Sequence, residues 1–358
     1  MSVFGLQRML DQRRNPPKPA TESFAGRTIL LTGATSGLGF EAAKKFVGLN
    51  ADRLIITARN ESKGQAAKEQ IEEWAKSNHP GAADAKHTEI IPMVLVMSSF
   101  AGVQKFANEL KAKFPGGIDG AILNAGMMNT TYIQSSDGWE ETLQVNTLST
   151  FLLGLLILPL LIASADSGRN AKYKPHLTFI SSGTAWIIQP DEMKAFMASE
   201  KPLEDLSQQK NFPGGVSGGS GQYSRSKLVL EYAVRHLAAS PAIRGLDGKP
   251  KVIIHTNCPG LCKSDLSREV GKGNPLIQLV SWVLQTTFAR AAEDGANTYA
   301  TALELGDEVH GEMWKNNRVF EVGPMLTTDE GKQFGDKMWN EIVGIVLEAD
   351  ASAKAFLG

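Results

Sequence analysis

Short apolar runs alternate with longer amphipathic stretches along most of the chain. Runs of four to eight apolar, β-branched residues are typical of buried strands, and apolar residues repeated every three or four positions indicate helices. This alternation predicts a parallel sheet covered by helices on both faces. The predicted strands are 28–31, 53–58, 90–97, 118–124, 177–181, 252–257 and 318–322, and the predicted helices are 37–49, 61–76, 100–114, 139–163 and 224–239.

Right-handed connections between these units predict an α/β fold, a Rossmann-type doubly wound parallel sheet. We expect an N-terminal arm, residues 1–24, and one domain, residues 25–358. Two segments, 186–222 and 266–290, follow the carboxyl ends of strands, where open α/β sheets bind ligands. They are predicted to be insertions that cover the substrate. The glycine- and serine-rich run 213–221 predicts a mobile loop at the end of the first insertion.

The most apolar stretch, residues 151–163, is short for a bilayer span and contains Pro159. A buried helix is the better interpretation, either against the core or at a subunit interface. The first 24 residues lack the long apolar stretch of a signal peptide. We interpret them as an arm packed on the domain rather than a membrane anchor. A short amphipathic helix there would use Val3, Phe4, Leu6, Met9 and Leu10.

Composition narrows the class of protein without specifying the chemistry. Hydrophobic residues make up 42% of the 358 residues and charged residues 21%, with a formal net charge of -1. These values are ordinary for a soluble globular protein and argue against a nucleic-acid-binding surface. The two cysteines, Cys258 and Cys262, favour a reducing compartment, and we expect a cytoplasmic protein. No cysteine or histidine spacing predicts a metal site.

A glycine-rich turn follows the first predicted strand and precedes the first helix. Its glycines have the spacing G-x-x-x-G-x-G. Such a turn brings backbone N–H groups and the positive end of a helix close to a pyrophosphate. The alternative is a connection that binds no ligand, but the position between strand and helix favours a dinucleotide site. The predicted cofactor contacts here are Thr32, Gly33, Thr35, Ser36, Gly37, Leu38 and Gly39.

The end of the second strand favours NADP(H) over NAD(H). An acidic residue there would bind the ribose 2′-hydroxyl, but the sequence is Thr57-Ala58-Arg59. No carboxylate repels a 2′-phosphate, and the Arg59 guanidinium can bind one through two hydrogen bonds. The alternative is that Arg59 is an ordinary surface arginine.

Tyr223 and Lys227 are the candidate acid–base pair. Residues four apart lie on one face of a helix, so these two side chains are predicted to be neighbours. An ammonium beside a phenol lowers the phenol's pKa from about 10. A phenol tuned in this way can donate or accept a proton near neutral pH.

The order of short motifs resembles that of the short-chain dehydrogenases/reductases from about Phe24 onward. Arg59-Asn60 with Lys63-Gly64 is similar to the retinol-dehydrogenase and WW-domain-oxidoreductase branch, and the C-terminal half is similar to fungal members of secondary-metabolite pathways. The motifs that carry the resemblance are 32–39, Asn124-Ala125-Gly126, Asn146, Ser181-Ser182, 223–227 and Pro259-Gly260.

The resemblance implies a role for each matching residue. Tyr223 would be the general acid or base, and Lys227 would tune its pKa and bind the nicotinamide ribose. Ser182 would orient the substrate carbonyl, with Ser181 as the alternative because the insertion separates both serines widely from Tyr223. Asn146 would hold a water in a proton relay. The remaining cofactor contacts implied are Asn124, Ala125, Gly126, Pro259, Gly260 and Ser264.

One family feature is missing from this sequence. Family members commonly carry an acidic residue near the end of strand three, and Val96 stands at that place here. Adenine recognition would then depend on backbone groups.

The sequence therefore predicts an oxidoreductase that uses NADP(H) on a ketone or alcohol of a bulky hydrophobic substrate, such as a fungal secondary-metabolite intermediate. A retinoid or steroid-like carbonyl compound is one alternative substrate. A non-redox isomerase, dehydratase or cyclase on the same scaffold is another alternative. The resemblance also implies a homodimer through 145–163 and 224–239. The apolar residues expected near the substrate are Trp186, Ile187, Ile188, Phe196, Met197, Leu276, Ile277, Val280, Trp282 and Phe288.

Overall fold

The strands of the described residues join into one sheet in the order β3-β2-β1-β4-β5-β6-β7-β8. The computed structural model describes residues 10, 12–78, 88–170, 172–212, 214–264, 266 and 274–357. Every neighbouring pair is parallel except β7 and β8, which are antiparallel. The strands are β1 (Thr28–Leu31), β2 (Arg53–Ala58), β3 (Glu89–Val94), β4 (Gly120–Leu123), β5 (His176–Ile180), β6 (Ile253–Asn257), β7 (Met313–Lys315) and β8 (Arg318–Val319).

Helices cover both faces of this sheet, as the predicted doubly wound fold requires. A π-helix, Gln144–Ser149, separates α4 from α5, and a 3-10 helix, Gly183–Ile187, follows β5. The α-helices are α1 (Gly37–Gly48), α2 (Glu61–Asn78), α3 (Phe100–Lys113), α4 (Glu141–Leu143), α5 (Thr150–Ser167), α6 (Pro190–Met197), α7 (Pro202–Ser207), α8 (Gly215–Ala239), α9 (Pro275–Phe288), α10 (Ala292–Ala302), α11 (Pro324–Thr327), α12 (Asp329–Ala349) and α13 (Lys354–Leu357).

The Rossmann-type strand order places the switch point between β1 and β4. The chain leaves β1 toward β2 and β3 on one side and returns on the other side at β4. Both of these central strands are fully buried, with the patterns TILL and GAIL. At such a switch point the connections diverge from the carboxyl ends of the two strands and leave a crevice for a ligand.

The core lies in two layers, one on each face of the sheet. Phe106, Phe151 and Phe179 belong to the layer beneath α3, α5 and α8, and Phe46 and Tyr299 belong to the layer beneath α1 and α10. The segment Glu141–Ser167 has the length and composition of a membrane-crossing helix, but 78% of its most apolar window is buried inside the protein. The prediction of a buried helix at 151–163 is thus confirmed, and the helix packs against the chain's own core.

The predicted strand at 318–322 was wrong in position. The chain forms β7 three residues before that range, turns at Asn316 and Asn317, and retains only Arg318–Val319 as an antiparallel edge strand. Both asparagines have positive φ, 50° and 56°. Two such residues make the tight turn that matches the twist of a hairpin. The predicted strand 90–97 is likewise shorter and ends at Val94.

The predicted mobile loop at 213–221 was also wrong, because α8 begins at Gly215 and includes most of the glycine run. A side chain at Gly219 would prevent this packing. A Cβ on Gly219 would lie 2.4 Å from the carbonyl oxygen of Asn129. The buried Gln222 donates hydrogen bonds to Glu140 Oε2 and to Leu206 O, at 3.0 and 3.1 Å. Close backbone contact and buried hydrogen bonds therefore outweigh the low helix propensity of glycine.

The described part of the N-terminal arm packs on the C-terminal half of the domain. The Arg13 guanidinium donates to the carbonyls of Thr286 and Thr287 at the end of α9. The carbonyl of Pro17 accepts from Asn297 Nδ2 at 2.9 Å. The described residues of the arm therefore contact the domain, while the proposed helix residues Val3, Phe4, Leu6 and Met9 lie outside the described residues.

The two glycines Gly219 and Gly221 give a matched test of this packing. We expect Gly219→Ala to destabilise the protein by roughly 1–3 kcal/mol, because the new methyl group overlaps a backbone carbonyl. Gly221→Ala meets nothing within 4 Å and should stabilise the helix by up to about 1 kcal/mol. Urea unfolding of both variants measures the difference, and equal effects would contradict the packing described for α8.

Candidate active site

The carboxyl ends of β1 to β7 open onto one cavity of about 2240 Å³. Each strand is followed by a residue that lines it, because parallel strands end at the same edge of a sheet. These lining residues are Gly33 after β1, Arg59 after β2, Val96 after β3, Asn124 after β4, Ser182 after β5, Pro259 after β6 and Asn316 after β7.

The glycine turn after β1 forms one end of the cavity and has room only for backbone. Gly33 and Gly37 have φ of 68° and 55°, which other residues rarely adopt. A Cβ on Gly39 would lie 2.3 Å from the carbonyl oxygen of Gly33. The turn leads directly into α1, so its backbone N–H groups and the helix dipole are available to a phosphate.

Asn124 ties the glycine turn to β4. Its Nδ2 donates to the carbonyls of Thr32 and Gly33, at 2.8 and 3.1 Å. Its Oδ1 accepts from the hydroxyl of Tyr299 at 2.7 Å. Thr32 itself is buried, and its Oγ1 accepts from the backbone N–H of Ala125. Thr32 thus shapes the turn from behind rather than lining the cavity.

Two exposed cations flank the end of β2. Arg59 and Lys63 both line the cavity, beside Ser36 on the glycine turn. Asn60 holds the start of α2, since its Oδ1 accepts from the backbone N–H of Lys63 and the hydroxyl of Ser62, both at 3.0 Å. This corner of the cavity therefore combines two positive side chains with a helix N-terminus, an arrangement that favours an anion.

Tyr223 and Ser182 meet at the middle of the cavity wall. The two hydroxyl groups share a hydrogen bond, and this bond lowers the pKa of Tyr223. Burial raises that pKa more strongly, to about 12. The expected lowering by Lys227 is therefore not found in this structure: Lys227 Nζ lies 5.9 Å from the Tyr223 ring centroid and donates to the carbonyl of Ile180 at 2.7 Å.

The neighbouring serine faces a different group. Ser181 is buried on the Glu231 side, where its proximity lowers the pKa of Glu231, whereas Ser182 contacts Tyr223. Ser182 also accepts from the backbone N–H of Thr184 at 3.3 Å, which fixes it at the start of the 3-10 helix. Geometry favours Ser182 over Ser181 as the serine beside the phenol.

Lys227 and Glu231 are buried one helical turn apart on α8. Burial lowers the pKa of Lys227 to about 8, and the negative charge of Glu231 opposes that shift. Burial raises the pKa of Glu231, and the charges of Arg235 and Lys227 oppose it. Thr256 Oγ1 donates to Glu231 Oε2 at 3.1 Å. This glutamate was not predicted as a site residue, although its spacing of four from Lys227 is visible in the sequence.

Asn146 lies on the π-helix, behind the cavity rather than on its surface. Its side chain exchanges hydrogen bonds with the backbone N–H and carbonyl of Met127, both at 2.9 Å, and donates to Ser226 Oγ at 3.0 Å. A Cβ on Gly126 would lie 3.1 Å from Asn146 Oδ1 and 3.8 Å from Lys227 Nζ. The wide turn thus brings Asn146 beside Lys227, and π-turns often occur at functional sites.

All predicted site residues except Thr32 and Asn146 line the cavity. Five of the apolar residues expected near the substrate also line it: Trp186, Ile187, Ile277, Val280 and Phe288. The others do not reach it; Leu276 and Trp282 are instead exposed on α9, at 70% and 63%. Lys63, Tyr299 and Lys315 also line the cavity but were not predicted as site residues. Tyr299 and Lys315 reach the cavity through folding rather than through a motif.

Comparison with known proteins identifies the class. The family model described as short chain dehydrogenase matches residues 27–172 of this chain. A short-chain dehydrogenase/reductase of Phaeosphaeria nodorum, phmF, is 35% identical over 345 residues, which cover 96% of this chain and 94% of that protein. A short-chain dehydrogenase/reductase of Aspergillus flavipes, ffsI, is 34% identical and covers 92% of this chain and 88% of its own length.

Solved structures share the fold at lower identity. An RhlG/NADP complex of Pseudomonas aeruginosa has a TM-score of 0.56 at 21% identity, covering 81% of this chain and 94% of that one. An NADPH-bound carbonyl reductase from chicken fatty liver has a TM-score of 0.53 at 20% identity, covering 83% and 99%. The sheet and these relatives together define an oxidoreductase with a Rossmann-type fold. This chain belongs to the short-chain dehydrogenase/reductase family.

The charge coupling between Lys227 and Glu231 predicts a pH dependence of cofactor binding. Glu231 raises the pKa of Lys227, so Glu231→Gln should lower it, and Lys227 should lose its proton at lower pH than in the unchanged protein. If the ammonium form binds the nicotinamide ribose, cofactor affinity falls as the pH rises through the pKa of Lys227. In Glu231→Gln that fall begins at a lower pH than in the unchanged protein. Cofactor fluorescence titrations across the pH range measure this, with Thr256→Val as the control that removes the hydrogen bond but not the charge. An unshifted profile in Glu231→Gln would contradict the coupling.

Proposed function

We propose that the protein is an NADPH-dependent oxidoreductase that reduces the carbonyl group of a bulky hydrophobic substrate or oxidises the matching alcohol. The observation that carries the proposal is the contact of the Tyr223 and Ser182 hydroxyls inside the cavity that also contains the glycine turn. An acid–base group and a phosphate-binding turn on one cavity are the two parts that this chemistry requires from the protein.

The turn after β1 fits a dinucleotide, because Ser36, Gly37 and Leu38 line the cavity where α1 begins and can offer backbone N–H groups to a phosphate. Asn124, Pro259, Gly260 and Ser264 line the path from this turn toward Tyr223. Lys227 would bind the nicotinamide ribose. When bound, the nicotinamide supplies the hydride in reduction or accepts it in oxidation.

NADP(H) is favoured over NAD(H) by the charge at the end of β2. Arg59, Lys63 and the start of α2 offer positive groups to a 2′-phosphate. None of the cavity-lining residues at this corner is acidic. A 2′-phosphate would therefore gain charge-assisted hydrogen bonds from both cations.

The residues around the carbonyl have separate tasks. Ser182 would donate a hydrogen bond to the carbonyl oxygen and fix its position. Tyr223, whose pKa burial raises to about 12, is a neutral phenol at physiological pH and can give its proton to that oxygen. This protonation state suits reduction, and a bound cofactor beside Lys227 would be needed to tune the phenol further. Asn146, behind Lys227, would support the return of a proton through water.

The substrate side of the cavity has large apolar surfaces. Trp186 stacks on Phe320 with ring centroids 4.8 Å apart, and α9 faces the same space with Ile277, Val280 and Phe288. Such walls suit a large, unsaturated or polycyclic compound.

Cofactor choice is tested at Arg59 and Lys63. Changing both to Gln should weaken NADPH binding by about tenfold or more and leave NADH binding nearly unchanged, because only NADPH carries the 2′-phosphate. Fluorescence titration of both cofactors gives the ratio. Lys68→Gln is the matched control, since Lys68 is on the same helix and pairs with Glu72. Equal loss for both cofactors would argue against a 2′-phosphate site.

The acid–base assignment is tested at Tyr223. Tyr223→Phe should lower ketone-dependent NADPH oxidation by at least about a hundredfold, because it removes the proton donor. It should retain measurable NADPH binding, since the glycine turn is untouched. Absorbance of the reduced cofactor with a panel of aromatic and polycyclic ketones measures turnover. Product formation without net cofactor oxidation would instead indicate a non-redox reaction.

A further inference from the structure

Lys315 is a buried cation that no other group in this site neutralises. It is the last residue of β7, it lines the cavity, and only 7% of it is exposed. Its ammonium lies 5.0 Å from the ring centroid of Trp186 and 4.6 Å from that of Phe320. It forms no hydrogen bond or ion pair with any residue in the described ranges.

A buried ammonium of this kind is costly unless an anion or acceptor accompanies it. The two aromatic rings offset part of that cost through their electron-rich faces. They leave the three N–H donors of the ammonium without acceptors. Because Lys315 lines the cavity, a molecule bound there can supply the acceptor.

The ammonium also lies close to the reacting end of the site. A Cβ on Gly183 would be 3.2 Å from Lys315 Nζ, and Gly183 directly follows Ser182. Gly183 thus leaves room for the ammonium beside the backbone. An acceptor bound by Lys315 would therefore sit near the carbonyl that Ser182 and Tyr223 would hold.

The cofactor's phosphates are too far away to be that partner. In the sheet, β4, β5 and β6 separate β7 from β1, which carries the glycine turn. Four strand spacings amount to about 19 Å. Lys315 thus belongs to the substrate side of the cavity.

We propose that Lys315 binds an ionised oxygen of the substrate, a carboxylate or an enolate, next to the carbonyl that reacts. This inference builds on the proposed function. The substrate would be a flat, conjugated carbonyl compound, because the Trp186 and Phe320 rings, stacked on each other at 25°, both line the cavity beside the ammonium. The aromatic side chains would then contact the flat ring system of the substrate, and the ammonium would bind its ionised oxygen.

Two other charged residues line this part of the cavity. Arg318 is exposed, with its guanidinium 5.5 Å from the Phe320 ring centroid, and Glu321 is exposed as well. Water screens charges at such positions, so they contribute little to binding compared with a buried ammonium. Arg318 therefore provides a matched control for Lys315.

Paired probes that differ in charge test the proposal by calorimetry at neutral pH, with the protein saturated with NADPH. The carboxylate pair is naphthoate and its methyl ester. The enolate pair is the acidic triketone acetylcyclohexanedione and the neutral acetylcyclohexanone. We expect the unchanged protein to bind at least one anion about tenfold or more tightly than its neutral partner.

Three variants assign that preference. Lys315→Met should abolish it, Lys315→Arg should retain it, and Arg318→Met should retain it. Retention in Lys315→Arg shows that charge, rather than folding, is responsible, and thermal unfolding of each variant checks the fold. Equal binding of anion and neutral probe in the unchanged protein, or a preference that survives Lys315→Met, would overturn the proposal.

The result is independent of turnover. If the protein does not bind NADPH, the proposed function fails, and the same titrations without cofactor still measure the anion preference. If NADPH binds and ketones are reduced but no anion preference exists, the Lys315 proposal alone fails. A preference for only one probe pair identifies the ionised oxygen as carboxylate or enolate.

Discussion

The site depends on the buried hydrogen bond from Lys227 Nζ to the carbonyl of Ile180, 2.7 Å long. It joins α8 to the last residue of β5, and so holds Tyr223 on the helix beside Ser182, two residues beyond Ile180. A lysine buried in this way is stable only because the strand end offers an acceptor and Glu231 an opposite charge. The same constraint places the ammonium behind the phenol rather than against it.

Much of the fold and of the cofactor side follows from the sequence. Strands such as β1 and β5 are short, continuous apolar runs, and the glycine turn needs residues without side chains at fixed positions. These are local requirements, so a linear pattern records them. The Tyr223–Lys227 pair is visible for the same reason, because helix geometry converts a spacing of four into adjacency.

What escaped prediction depends on contacts between distant segments. The glycine run before Tyr223 is helical because it packs on the backbone of Asn129, more than eighty residues earlier. Lys315 lies near Ser182 because β7 pairs with β6. β7 has only three residues, all buried, and so short a pattern does not predict which strand it pairs with. The pKa of Tyr223 likewise depends on how much protein surrounds the ring, which a motif does not record.

The N-terminal arm links the substrate side of the cavity to the edge of the sheet. Arg290 donates to the carbonyl of Gln12 and to Asn316 Oδ1, and the backbone N–H of Lys18 donates to Asn317 Oδ1. Hydrogen bonds from the arm and from Arg290 therefore hold the hairpin that bears Lys315, at the end of the cavity far from the glycine turn. Loosening residues 12–18 would therefore disturb the hairpin on the substrate side while leaving the glycine turn at the other end of the cavity in place.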